Sequence, residues 1–135
     1  MAGAAEQTVR VVAVRGGRCR VAEFALRRGE SGLSMFACET EQEVRRVVEA
    51  VRAAGKKGEL AAAALTEHDL EALGLERVPL PGGTPDERVN ELHVEVRLSV
   101  STAETARRLS QEPWEFFNQQ MSGAIHARAR IIFEG

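Results

Sequence analysis

Tyrosine is absent from this chain of 135 residues, tryptophan occurs once, cysteine and lysine twice each, and proline four times. Aromatics make up only 4% of the sequence, which leaves few of the stacking platforms that single-strand nucleic-acid binders use. Two cysteines, Cys19 and Cys38, cannot build the disulfide framework of a small secreted scaffold. Both lie in apolar, strand-like surroundings, where a free thiol acts as a small buried hydrophobe. The longest apolar run, Leu60 to Leu65, is six residues of mostly alanine, far short of the ~20 that a membrane helix needs. Met1 to Ala5 has neither the charged start nor the apolar core of a secretory signal, so the expected location is the cytoplasm. G-x-S-x-G, Walker and G-x-G-x-x-G loops are missing, as are closely spaced Cys or His pairs. No cofactor and no metal are therefore expected.

What the chain does contain is enough for a core. Val, Leu, Ile and Phe supply 33 residues, above the ~20% below which strongly charged chains stay disordered. The length suits one domain spanning residues 1–135. Charge is unevenly spread: residues 1–57 carry 11 basic and 7 acidic side chains, residues 58–135 carry 7 and 13. Of the basic residues 16 are arginine, whose planar guanidinium makes bidentate contacts that lysine cannot.

Pattern then assigns elements. Val9 to Val14 is β-branched enough for a strand covered on both faces. Gly16 and Gly17 supply the positive φ of a two-residue hairpin, with Arg18 to Leu26 predicted as the returning strand and Leu33 to Cys38 as a third. Thr40 and Glu43 have capping-box spacing, and Val44, Val47, Val48 and Val51 repeat on one helical face up to Gly55. Thr66 with Asp69 opens a short second helix ended by Gly74. Residues 76–90, with Pro79, Pro81, Gly82, Gly83 and Pro85, read as a long loop, and residues 1–7 as a flexible N-terminus. Leu92 to Val100 alternates cleanly as a strand. Ser101 with Glu104 predicts another capped helix, Pro113 opens a further helical piece, and Ile125 to Phe133 is predicted as the last strand. On that last strand Arg128 and Arg130 are expected beside Glu95 and Glu91. The class is α+β, with a mostly antiparallel sheet of about four or five strands and three or four helices packed on it.

Two groups of residues suggest function. Trp114, Phe116, Phe117 and Met121 crowd one short helix, more apolar surface than one helical face can bury. Such residue types are enriched at protein interfaces. Arg10, Arg15, Arg18, Arg20, Arg27 and Arg28 make the first hairpin basic. The expected function is thus a non-enzymatic interaction module binding a protein partner or a second copy, through Trp114, Phe116, Phe117, Met121, Arg18 and Arg20. The rival is a small RNA-binding protein or RNase using Arg97, His126, Arg128 and Arg130. His93 and Glu95 share a strand face, but without close ligand spacing they read as a polar face rather than a metal site.

Two resemblances accompany this reading. The string Glu30-Ser31-Gly32-Leu33-Ser34-Met35-Phe36, the Thr-led helix after it, Leu73-Gly74-Leu75 and the isolated His93 resemble small bacterial proteins of unassigned function, and that resemblance implies no activity. Gly17 to Phe24 and Glu91 to Arg97 are similar to the entry segment and central strand of HigB/RelE-type toxins, ribosome-dependent mRNA nucleases with a small sheet flanked by helices. That resemblance implies that Arg97, Arg128 and Arg130 contact the scissile phosphate and that His126 serves as acid or base. The chain departs from those toxins in its pI of about 6.0 and in the Trp114 helix before its last strand.

Overall fold

The computed structural model describes residues 6–135. Among them the chain runs β1 (Gln7–Ala13), a 3-10 turn (Val21–Phe24), β2 (Gly32–Cys38), α1 (Glu41–Ala53), β3 (Leu60–Leu65), α2 (Glu67–Ala72), β4 (Leu75–Pro79), α3 (Glu87–Asn90), β5 (His93–Leu98), α4 (Val100–Arg108), α5 (Pro113–Gln120), α6 (Ser122–Arg128) and β6 (Arg130–Glu134). One six-stranded sheet in the order β4-β5-β2-β1-β3-β6 holds every strand, and all five pairings are antiparallel. The fold is α+β, with more strands and helices than the sequence pattern revealed.

Helices cover both faces. On one, Val44, Val47 and Val48 of α1 and Val89 of α3 pack over Val9, Val11, Phe36, Ala62 and Ala64. On the other, Leu70, Ala106, Phe116, Phe117 and Ile125 from α2, α4, α5 and α6 pack over Val12, Leu33, Met35, Ala63, Val94 and Val96. A sheet buried on both sides lets its inner strands be apolar at every position. That is why β3, Leu-Ala-Ala-Ala-Ala-Leu, is a strand at all: each of its residues is buried, and alanine keeps both helical layers close. Local propensity favours helix for such a run, and tertiary packing overrides it.

Local signals succeeded where a cap closes on itself. Thr40 Oγ1 accepts the Glu43 N–H at 3.1 Å while the Glu43 carboxylate takes the Thr40 N–H. Thr66 and Asp69 repeat the arrangement at the start of α2. The helix assigned to Ser101 instead begins two residues earlier, because Ser99 Oγ accepts the Thr102 N–H.

Other elements differ from the sequence pattern. The segment 76–90 is no continuous loop: β4 occupies its start, on the sheet edge where Pro79 is tolerated, and Asp86 caps α3 within it. Gln7 belongs to β1, so of the N-terminal segment only residues 1–5 lie outside the described residues. The strand predicted from Ile125 is helix α6 as far as Arg128, with Ser122 and Ile125 buried and Ala129 packed on the core at helical spacing, and β6 begins at Arg130. Finally, the return strand predicted over Arg18 to Leu26 is absent: a 3-10 turn at Val21–Phe24 stands in its place.

Candidate interaction surface and the cleft beside it

Between β1 and β2 lie residues 14–31. Arg15 and Arg18 exchange both backbone hydrogen bonds, at 2.8 and 3.2 Å, around Gly16 and Gly17 at φ +60° and +76°. The predicted two-residue turn is therefore present. Past Arg18 the chain leaves the ladder, because Phe24 and Leu26 turn into the core under α5 and α6 and are almost wholly buried.

Polar side chains of α5 and α6 hold that excursion by its backbone. Asn118 acts as a strand would: its Oδ1 accepts the Leu26 N–H at 2.7 Å and its Nδ2 donates to the Leu26 carbonyl at 2.9 Å. Ser122 Oγ donates to the Phe24 carbonyl at 2.9 Å. His126 Nε2 lies 2.9 Å from the Cys19 carbonyl, which can only accept, so that nitrogen carries the proton. The His126 ring also meets Phe24 edge to face at 6.1 Å.

The excursion so held displays Arg15, Arg18, Arg20, Arg27 and Arg28, all exposed, and none of them forms an ion pair with a described acidic side chain. Glu30 is the one exposed carboxylate among them, and it accepts the Arg27 N–H. Arg10 differs. It points inward, its Nε donating to the Glu23 carbonyl at 2.5 Å and its Nη1 to the Ser34 carbonyl at 2.8 Å. These bonds occupy the place where β1 and β2 part. Burial lowers the Arg10 pKa from its usual value, opposed by the charges of Glu23 and Glu30. Burial works to raise the Glu23 carboxyl, but the Ala13 amide, Lys56 and Arg10 outweigh it and hold that carboxyl below its ordinary range.

The aromatic helix sits behind this surface rather than on it. Phe116 and Phe117 are 5% and 0% exposed, and Trp114 and Met121 are half-buried against the same core. The expected surplus of apolar surface does not arise, because α5 lies between α4 and α6 as well as over the sheet. Of the predicted partner-binding set, Arg18 and Arg20 are on the surface, while the four apolar residues belong to the packing that supports it.

The residues named for RNA do not meet. Arg97 is on β5 with Glu95 at 3.5 Å, whereas His126 and Arg128 are on α6 and Arg130 is on β6. Three strands separate β5 from β6, roughly 19 Å at the usual strand spacing. Arg128 is bound to Asp69 at 3.2 Å instead of lying beside Glu95, and Arg130 pairs across to Ala64. No cluster of three or more His, Cys, Asp or Glu suited to a metal occurs among the described residues.

The opposite face of the sheet holds a cleft of about 190 Å³ lined by Arg10, Ser34, Lys56, Thr84 and His93 over Val11, Phe36 and Val51. His93 faces Phe36 across the β2–β5 ladder and packs edge to face on its ring at 5.2 Å. Its Nδ1 lies 2.5 Å from the Leu80 carbonyl, so Nδ1 carries a hydrogen. In the neutral form of the ring Nε2 is then the acceptor, and the Ser34 hydroxyl lies within hydrogen-bond reach of it. Lys56 Nζ stands at the rim, 3.0 Å from Glu23 Oε1. Sequence reading missed this pair because 59 residues separate Ser34 from His93; the only signal was a lone histidine beginning an apolar strand. A larger groove of about 500 Å³ between α1 and α3 is lined by polar and charged side chains beside Val89 and Leu92, of which Arg46 is already bound to Asp86.

No family model, curated protein or solved structure matches this chain.

Proposed function

We propose that this protein is an interaction module whose arginine-bearing excursion, residues 14–31, docks an acidic segment of a partner protein. The observation that carries this reading is the set of five exposed guanidinium groups without ion-pair partners on a backbone clamped by Asn118, Ser122 and His126. Guanidinium forks match carboxylates bidentately, and a clamped backbone spares much of the ordering cost of binding. A protein carboxylate is favoured over RNA because Phe24, Phe116 and Phe117 are buried, tyrosine is absent and the net charge is −2.

Fluorescence anisotropy with a labelled oligoglutamate peptide and with a single-stranded RNA tests the reading. The peptide binds, more weakly as salt rises, and the double variant Arg18→Ala/Arg20→Ala weakens it by about tenfold or more, equivalent to about 1.4 kcal/mol. Arg130→Ala leaves it unchanged. RNA binding tighter than peptide binding, with loss in Arg128→Ala, would favour the nuclease-like alternative and overturn this one.

Self-association has an observation of its own. Strand β6 is a sheet edge with Ile131 and Ile132 exposed, and an unpaired edge is a template for another strand. Antiparallel pairing of two copies about Ile132 sets Arg130 against Glu134 and Ile131 against Phe133 of the second copy. Sedimentation velocity checks this: a dimer in the wild type and a monomer in Ile132→Lys.

A further inference from the structure

We propose that Ser34 is a histidine-activated nucleophile and that its cleft takes a small ester bearing a negative charge. Three features converge on the pair. Ser34 is exposed on β2 while His93 is 9% exposed, so the hydroxyl is open to a ligand and the base is shielded from bulk water. The bond from Nδ1 to the Leu80 carbonyl fixes the ring and its tautomer, the role a third group plays in nucleophile–base–orienter arrangements. Pinning the segment after β4 to the sheet needs only that Nδ1 bond; a second nitrogen aimed at an open hydroxyl is more than a tether requires.

The cations set the ligand class. Arg10, which spends Nε and Nη1 on carbonyls and keeps Nη2, and Lys56, which spends one bond on Glu23, are the charged side chains of the lining, and both are positive. A carboxylate or phosphate group on the substrate answers that charge, and a volume of about 190 Å³ limits it to a small molecule.

In the reaction the Ser34 oxygen bonds to the ester carbonyl carbon as its proton passes to His93 Nε2. The carbon–oxygen bond to the leaving alcohol breaks, and the alcohol takes that proton. Water then attacks the acyl-serine, gives a proton to Nε2, and the acid departs as the proton returns to the Ser34 oxygen.

A fluorophosphonate probe tests the nucleophile directly. The serine oxygen bonds to phosphorus, fluoride leaves, and the hydroxyl proton goes to His93. Peptide mass mapping is expected to place one adduct on Ser34, absent in Ser34→Ala and formed at least tenfold more slowly in His93→Gln. Hydrolysis of 4-nitrophenyl hemisuccinate is expected to exceed that of 4-nitrophenyl acetate, and Lys56→Met to remove the preference. Absence of an adduct on Ser34 of the folded wild type, or hydrolysis equal to that of Ser34→Ala, overturns the proposal whether or not His93→Gln folds.

Discussion

Asn118 is the side chain on which the shape of the arginine excursion turns, since it replaces a neighbouring strand for both backbone groups of Leu26. Asn118→Ala leaves a partly buried N–H and C=O unpaired, at about 1–3 kcal/mol for each unsatisfied group. Urea unfolding is expected to show a stability loss of about 2–6 kcal/mol for the two groups together, and the anisotropy assay a weaker peptide complex although Asn118 lies behind the arginine surface. Carboxylates set the response to acid. Backbone and side-chain bonds from Thr66, then Arg128, hold Asp69 below its ordinary value, Arg46 does the same for Asp86, and Glu23 is likewise lowered. The unfolded chain takes up these protons first, at carboxylate pKa values near ~4. Stability from the three groups is thus complete above that range and is lost as pH falls through their lower folded values. Urea midpoints are expected to decline from about pH 5 to about pH 3, and Glu23→Gln, which removes one of the three groups, to decline less steeply. Burial, with Glu43 and Glu6, pushes the Cys38 thiol up to about 12, so a disulfide reagent is expected to label it only after denaturant is added. Residue-level signals were legible where partners are close in sequence, as in the Thr40–Glu43 and Thr66–Asp69 caps. Asn118 to Leu26 and Ser34 to His93 are pairings across 92 and 59 positions, and no local pattern announces them.

Elements follow the same division. The valine stripe of α1 was legible because one face is apolar and the other charged, whereas β3 offers no alternation at all: both its faces are interior, so neither a period of two nor of 3.6 is written into it. Its alanines are a volume constraint. Ala62 and Ala63, both at 0% exposure, face opposite helical layers. Ala63→Leu forces extra methylenes into the α5–α6 side, and the expected cost is about 1–3 kcal/mol, read from thermal and urea unfolding. β2 begins with a comparable constraint: a Cβ on Gly32 would stand 2.6 Å from the Val96 carbonyl oxygen of β5, and backbone cannot step aside as a side-chain tip can. The stretch from Ile125 to Phe133 misled for a different reason. Alanine alternating with arginine looks like a strand in a binary pattern, yet Ser122, Ile125 and Ala129 were at helical spacing all along, and only the buried partners of α6 decide between the two.

At the scale of the whole molecule the sheet order mixes the basic and acidic halves of the sequence, because β1 and β2 from the basic half lie side by side in the centre with two strands of the acidic half on either side. The asymmetry visible in the sequence therefore does not survive as two charged hemispheres; what survives is the local arginine excursion. The two sheet edges also differ. β4 is protected by Pro79 and by the charges of Glu76 and Arg77, whereas β6 exposes Ile131 and Ile132, with a bulge in its pairing to β3 between Ala62 and Ala63 as its main protection. Arg130 and Glu134 form no ion pair among the described residues, and a twofold pairing about Ile132 would set each against its complement in the other copy, two pairs in all. Charge reversal separates that geometry from general stickiness of the isoleucines. Arg130→Glu alone sets like charges face to face and is expected to leave monomers in sedimentation velocity, as is Glu134→Arg alone. The double variant Arg130→Glu/Glu134→Arg restores complementarity, and so does an equal mixture of the two single variants, whose mixed dimer sets opposite charges against each other at both cross-strand pairs. Dimers that persist in both single variants would show that the isoleucines, not the strand register, hold the copies together.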